Sequence, residues 1–367
     1  MDVVHAFKFN EYYREIICKT SAIVEIMKVG ILTHPQGANY GGILQCYALC
    51  SYLRKLGHEP IVIQRVANQS IFIWRWIRSL LSAIHFSRYY HPKEVDRLAN
   101  IRPFILKYIP RTEPFDSYSK MNKISSVYAL DAVIVGSDQV WRHDYAMQFG
   151  YNYFLDFVPD NVIKLSYAAS FGLSEWQYSS QETKIIRNLL SRFSAISVRE
   201  EEAISLLENN VGCNAIQLID PTMLLTADDY NQIASNRLEA DNYIFVYWLG
   251  DKQLIQDEIS AYKNHGYKVV DINLKDNQEQ ISVEDWISYI KYADYVITDS
   301  FHGCVFSLIF NRPFKVEKND SGGYGRIVSL CKLLDISFED MIDFKSVNSR
   351  ISDLRGIAHE YLTSILK

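Results

Sequence analysis

The chain is short of the features that would place it quickly. Its six cysteines, at positions 18, 46, 50, 213, 304 and 331, form no CxxC pair and no zinc-ligand spacing. They read as reduced core residues of a cytosolic protein, with Cys46 and Cys50 on one helix face. No run approaches the roughly 20 apolar residues that a membrane span needs. Residues 1–26 lack the basic-then-apolar order of a secretory signal and read as an extra helix or an upstream-start extension ahead of Met27. A formal net charge of −5 argues against a general nucleic-acid binder. Internal repeats and low-complexity linkers are absent. So are the dinucleotide GxGxxG, the Walker A spacing and the GxSxG nucleophile elbow. No DxD motif ends a strand, and Asp228-Asp229 reads as helix capping, so no metal site is expected.

What is present is an ordinary globular chain of 367 residues, 48% hydrophobic and 22% charged, long enough for two domains. Twenty-five tyrosines, 18 phenylalanines and 6 tryptophans either supply amphipathic contact surfaces for a sugar or nucleotide or reflect compositional preference. The apolar run 28–33 opens the fold as a buried strand. A glycine-bearing loop follows, then a helix-spaced segment stopped by Gly57, then a second strand, "EPIVIQRV": a βαβ unit. Further strands are expected in 130–141, 164–172, 193–198 and 216–225. A second series begins at 242–250 and continues through "YKVVDIN", a helix N-capped by Ser282, "DYVITDS" and "RPFKVE". The expected architecture is α/β, with two Rossmann-like halves facing a cleft. Its parts are an N-terminal extension over 1–26, a first domain over 27–235 with a helical insertion at about 70–125, and a second domain over 236–367 that carries the C-terminal helices.

Three loops at strand ends carry polar residues that chemistry could use. In Asn39-Tyr40-Gly41-Gly42, with Gln45 one turn on, glycines either admit a ligand close to the backbone or simply make a tight turn. Ser137, Asp138 and Gln139, followed by Trp141, cluster hydrogen-bonding groups after an apolar strand, which is costly unless something pairs with them. Arg199 and His302 each end an apolar strand, one per half. An arginine can grip a phosphate or carboxylate, and a histidine can move protons. His302 taken alone is as readable as a structural loop residue. Beside Arg199, Ser300, Gly303 and Arg326 the functional reading prevails.

The blocks "GANYGGILQCYALCSYLRKLGHE", "DAVIVGSDQVW", "LSYAASFG", "SVREEEAISLLEN", "LIDPTMLL" and "ADYVITDSFHGCVFSLIFNRPF" occur in this order. Together they resemble the polysaccharide pyruvyl transferase family over about residues 28–340, most specifically in GSDQVW and SFHG. The resemblance implies a GT-B-like fold and, with no further cofactor, transfer of pyruvyl from phosphoenolpyruvate to a sugar, commonly as a cyclic ketal. It places the family's functional histidine on His302 and its anion-binding arginine on Arg199. Ser170, Ser300, Phe301, Gly303 and Arg326 are then expected near the donor. Many relatives carry arginine where this chain has Ser300, and Arg326 is the candidate substitute. Asn39, Tyr40, Gly41, Gly42, Gln45, Ser137, Asp138, Gln139 and Trp141 are expected in the acceptor or cleft loops.

The expected partners are phosphoenolpyruvate and a bacterial capsular or cell-surface sugar precursor, lipid-linked in one version, with no nucleic acid; composition leaves the oligomeric state open. Residues 71–90, with Trp74, Arg75, Trp76, Arg78 and Arg88, read either as a helical insertion packed over the first domain or as a peripheral contact with an anionic membrane. Two other readings stand. One is a GT-B glycosyltransferase using a nucleotide sugar, for which no acidic residue is placed at a ribose beyond generic candidates such as Asp271. The other is a non-catalytic carbohydrate-binding protein.

Overall fold

A computed structural model describes residues 25–66, 96–272, 280–316, 324–337 and 341–367. The extension over 1–24 and residues 67–95, which hold the aromatic and arginine-rich stretch, lie outside the described residues. What remains of the expected insertion is helical, with short helices at Arg102–Tyr108, Tyr118–Met121 and Ile124–Val127.

Six parallel strands form the first sheet: β1 (Lys28–Leu32), β2 (Glu59–Val62), β3 (Ala132–Asp138), β4 (Ile163–Ala169), β5 (Ser197–Val198) and β6 (Ile216–Gln217), in the order β2-β1-β3-β4-β5-β6. The second sheet holds β7 (Tyr243–Tyr247), β8 (Lys268–Ile272), β9 (Tyr295–Thr298) and β10 (Phe314–Val316), in the order β10-β9-β7-β8. Both orders reverse once, between β1 and β3 and between β7 and β9. The carboxyl ends of strands at such a reversal leave a crevice where ligands bind. β1, β3 and β7 are buried along nearly their whole length, which is why they read as unbroken apolar runs.

Helix α1 (Tyr40–Lys55) follows β1. Asn39 caps it, accepting from the Gly42 amide at 3.3 Å, and Arg54 and Lys55 complement its last turn. Gly57 takes φ +91° just past its end, a conformation that favours glycine. α1 is buried on most sides because it lies between the halves. One apolar core runs from Ile31 and Leu44 through Leu224 to Trp286 and Phe306. Cys46, Cys50 and Cys304 sit in that core. Helix α2 (Phe301–Ile309) follows β9, α3 (Tyr324–Leu334) follows β10, and α4 (Phe344–Ile365) ends the fold. Chain order assigns α4 to the second half, yet it also docks on the first. Tyr361 donates to the Ser166 carbonyl at 2.8 Å and Arg355 Nε to that of Met223 at 3.1 Å.

Candidate active site

The carboxyl ends of β1, β3 and β5 meet the N-terminus of α2, and the charged groups of the cleft gather there. β3 delivers Ser137 and Asp138. A side chain on Gly136 would run into the Tyr167 carbonyl of the neighbouring strand, and φ is +118° there. Asp138 holds φ +74°, tolerable for aspartate, and its Oδ1 accepts from the Gln139 amide at 2.9 Å. Burial would raise the Asp138 carboxyl, but Arg199 first, then His34, Arg326 and His302, hold it below the usual range.

Arg199 follows β5 with a side chain only 3% exposed. Its Nε donates to Glu200 Oε1 at 2.9 Å and its Nη1 to Asp220 Oδ2 at 3.1 Å. The guanidinium lies 4.7 Å over the ring of Phe301, across the cleft. Burial works against its charge, but Glu200, Asp220 and Asp138 raise its pKa above the ordinary arginine value. Its Nη2 is buried without a partner.

Asp220 caps the turn Pro221–Leu224, accepting through Oδ1 from the Thr222 amide at 3.0 Å and the Thr222 hydroxyl at 2.7 Å. Its Oδ2 accepts from Arg199 and faces His302 Nε2 at 3.7 Å. Burial pushes this carboxyl up, and His302, Arg199 and the Thr222 amide outweigh it and hold it well below the carboxylate range. Ser300 caps α2 by accepting from the Gly303 amide at 3.4 Å, which sets His302 in the first turn, where unpaired helix amides cluster. Gly303 stands against Thr298 and admits no side chain.

Five buried side-chain nitrogens belonging to this neighbourhood have no hydrogen-bond partner: His34 Nε2, Arg142 Nε, Arg199 Nη2, His302 Nε2 and Arg326 Nε. An unpaired buried donor costs about 1–3 kcal/mol. The arginine nitrogens and His302 Nε2 among them, around Asp138 and Asp220, are donors that an anion with several acceptor oxygens would satisfy. Arg326, on α3, has its pKa lowered by burial and then by the like charge of Arg199.

Several expected residues prove to be scaffold. Gln45 donates to Thr33 Oγ1 and to the Gly42 carbonyl, each at 3.0 Å, and accepts from the Ser137 amide at 3.2 Å, so it ties α1 to β1 and β3. Ser137 donates to the Ala168 carbonyl at 2.9 Å. Ser170 donates to Glu200 Oε1 at 2.9 Å and so aims the carboxylate that grips Arg199. Gln139 accepts from Arg142 Nη1 at 3.2 Å. Two expectations are corrected. Tyr40 does not line the cleft: it is fully buried, stacked on Trp286 at 5.4 Å, and donates to the Ile281 carbonyl. Trp141 likewise lies in the core, stacked on Phe154 at 5.9 Å with its indole N–H on the Tyr153 carbonyl. Asp271, the ribose candidate of the nucleotide-sugar reading, is paired with Lys252 at 2.5 Å.

Sequence reasoning passed over Asp220, Glu200 and His34 as individuals. Asp220 precedes Pro221 and carries only the signature of a turn residue, and Glu200 is one of three consecutive glutamates. His34 had no motif to mark it beyond following the first strand.

The family model described as polysaccharide pyruvyl transferase matches residues 39–320. No curated protein matches the chain. Among solved structures, the UDP-GlcNAc 2-epimerase from Methanocaldococcus jannaschii has a TM-score of 0.50 at 10% identity, over 89% of this chain and 92% of that one. The S. aureus MnaA–UDP co-structure has a TM-score of 0.48 at 15% identity, over 93% and 98%. The fold is of the GT-B type, two parallel-sheet halves about a cleft.

Proposed function

Since the chain belongs to the polysaccharide pyruvyl transferase family, we propose that it transfers the pyruvyl group of phosphoenolpyruvate to a pair of sugar hydroxyls as a cyclic ketal. The observation that carries the donor is the set of unpartnered buried nitrogens, Arg199 Nη2, Arg326 Nε and His302 Nε2 foremost. Phosphoenolpyruvate brings about three negative charges spread over a carboxylate and a phosphate, which arginine forks and helix amides match. Arg199 binds the anion, with Arg326 supplying a second guanidinium. His302, standing 3.7 Å from Asp220, protonates the methylene carbon while a sugar hydroxyl attacks the adjacent carbon. Such acid–base help is worth about 10²–10⁴-fold. Departure of phosphate and attack by the second hydroxyl close the ketal.

The acceptor belongs to a cell-surface polysaccharide precursor in this reading, carried on a lipid and met at the inner face of the membrane through residues 71–90. Among the described residues no helix is long and apolar enough to cross a membrane. Phosphate release from phosphoenolpyruvate, measured across a panel of sugar acceptors with nucleotide sugars as the control arm, tests the proposal. Acceptor-dependent release and an NMR-detected ketal are expected. Turnover of a nucleotide sugar with phosphoenolpyruvate untouched would overturn it.

A further inference from the structure

A ketal across two hydroxyls requires two proton departures, and the balance of atoms says where they go. Phosphoenolpyruvate and a diol become a pyruvyl ketal and inorganic phosphate. One hydroxyl proton replaces the proton delivered to the methylene carbon, and the other ends on the departing phosphate. His302 beside Asp220 is built as the acid of this sequence. A base is still needed, and Asp138 and Asp220, both held below the carboxylate range by the cations around them, are poor ones.

His34 is the second imidazole whose Nε2 is buried and unpartnered. It follows β1 directly, across the switch point from Asp138. Two contacts fix its tautomer. Tyr153 Oη lies 3.5 Å from the Thr33 carbonyl and 3.4 Å from His34 Nδ1. Burial keeps the phenol protonated, so its single O–H has one place to go. Both contacts are satisfied together only if Tyr153 donates to the Thr33 carbonyl and accepts from Nδ1–H. In the neutral ring Nε2 then carries the lone pair. The ring is held edge-on by Tyr145 and Tyr153, each with centroids 5.4 Å away. The charged groups around this corner are Asp138 at the end of β3, Arg142, whose guanidinium lies over the Tyr145 ring at 4.9 Å, and Arg326, which interacts with both Tyr145 and Asp138.

We propose, resting on the pyruvyl-transfer reading, that His34 is the general base of the site: its Nε2 takes the proton of one acceptor hydroxyl and passes it to the leaving phosphate, while the proton of the other hydroxyl restores His302. The two imidazoles thus divide the work, His302 as acid and His34 as base.

Histidine ¹⁵N NMR of the full chain, assigned by comparison with His34→Gln, reads the tautomer directly. Nδ1–H is expected, and a dominant Nε2–H form overturns the assignment. In pyruvyl transfer, His34→Gln should lower kcat by about 10²–10⁴-fold while the donor KM moves by less than about threefold. The acid limb of its kcat/KM profile, which reports protonation of the base, should disappear. Calorimetric binding of phosphoenolpyruvate by the variant shows that its site is intact. A His34→Gln protein that turns over as wild type does, or keeps the acid limb, overturns the role of His34 and leaves the donor reading standing. Wild-type protein that does not consume phosphoenolpyruvate overturns the donor reading, and with it the role of His34.

Discussion

The imidazole of His302 rests against the α-carbon of Gly41, so that any side chain at Gly41 would occupy the place of Nδ1. The contact joins the first turn of α1 in one half to the first turn of α2 in the other. It sets where the imidazole can stand between Asp220 and the cleft. Gly41→Ala should therefore displace the ring while leaving Arg199 and its partners in place. Turnover is expected to fall toward that of His302→Ala, about 10²–10⁴-fold below wild type, with donor binding retained. Steady-state kinetics beside calorimetric donor binding checks this. A Gly41→Ala enzyme with normal turnover would detach the contact from catalysis.

Arg199→Ala should raise the donor KM much more than the acceptor KM. It also strands Asp220 and Glu200 in the interior without their cation, and breaking such a pair costs about 3–5 kcal/mol. Chemical denaturation should show that loss, and initial rates at varied donor and acceptor should show the asymmetry. Equal effects on both KM values would place Arg199 away from the donor.

Acid should destabilise the fold through Asp220 and Asp138. Their folded carboxyls titrate below the ordinary value of about 4. As pH falls through that region the unfolded chain binds protons that the folded one refuses. Their contribution is thus complete above about pH 5 and is lost progressively below it. Denaturation midpoints measured from pH 7 down to 3 should fall less steeply for Asp220→Asn than for wild type, from a lower starting value at pH 7. Parallel slopes would remove Asp220 from the acid response.

Flotation with anionic liposomes tests the membrane contact proposed for residues 71–90. Intact protein is expected to float in low salt and to stay down in high salt, as screening of surface charges requires. Arg75→Glu with Arg78→Glu should abolish flotation without altering phosphate release in the presence of a soluble acceptor. Equal flotation of the variant would remove Arg75 and Arg78 from the membrane contact.

The carbon-skeleton logic of the fold was legible because it is local. Runs such as Ala132–Val135 and Tyr243–Tyr247 are apolar at every position only when both faces of a strand are covered, and Ser282, Asn39 and Gly57 mark helix ends through short-range backbone chemistry. Arg199 and His302 were legible for the same reason, as polar residues placed where apolar strands end. Pattern alone could not separate the polar loop residues that face the cleft from their neighbours that face the core. Tyr40 and Trp141 lie in cleft-loop motifs, yet their rings are drawn into apolar layers supplied by Trp286 and Phe154, distant in one case and nearby in the other. Asp220 looked like a turn residue and is one. It also becomes the shared partner of Arg199 and His302, because the folding of two separate halves brings β5, the turn Pro221–Leu224 and α2 to one point. By itself the sequence determined which strands and helices form, through the periodicity of buried surface. Only the tertiary structure decided which charges meet, since the free energy of a buried ion pair depends on neighbours that lie far away along the chain.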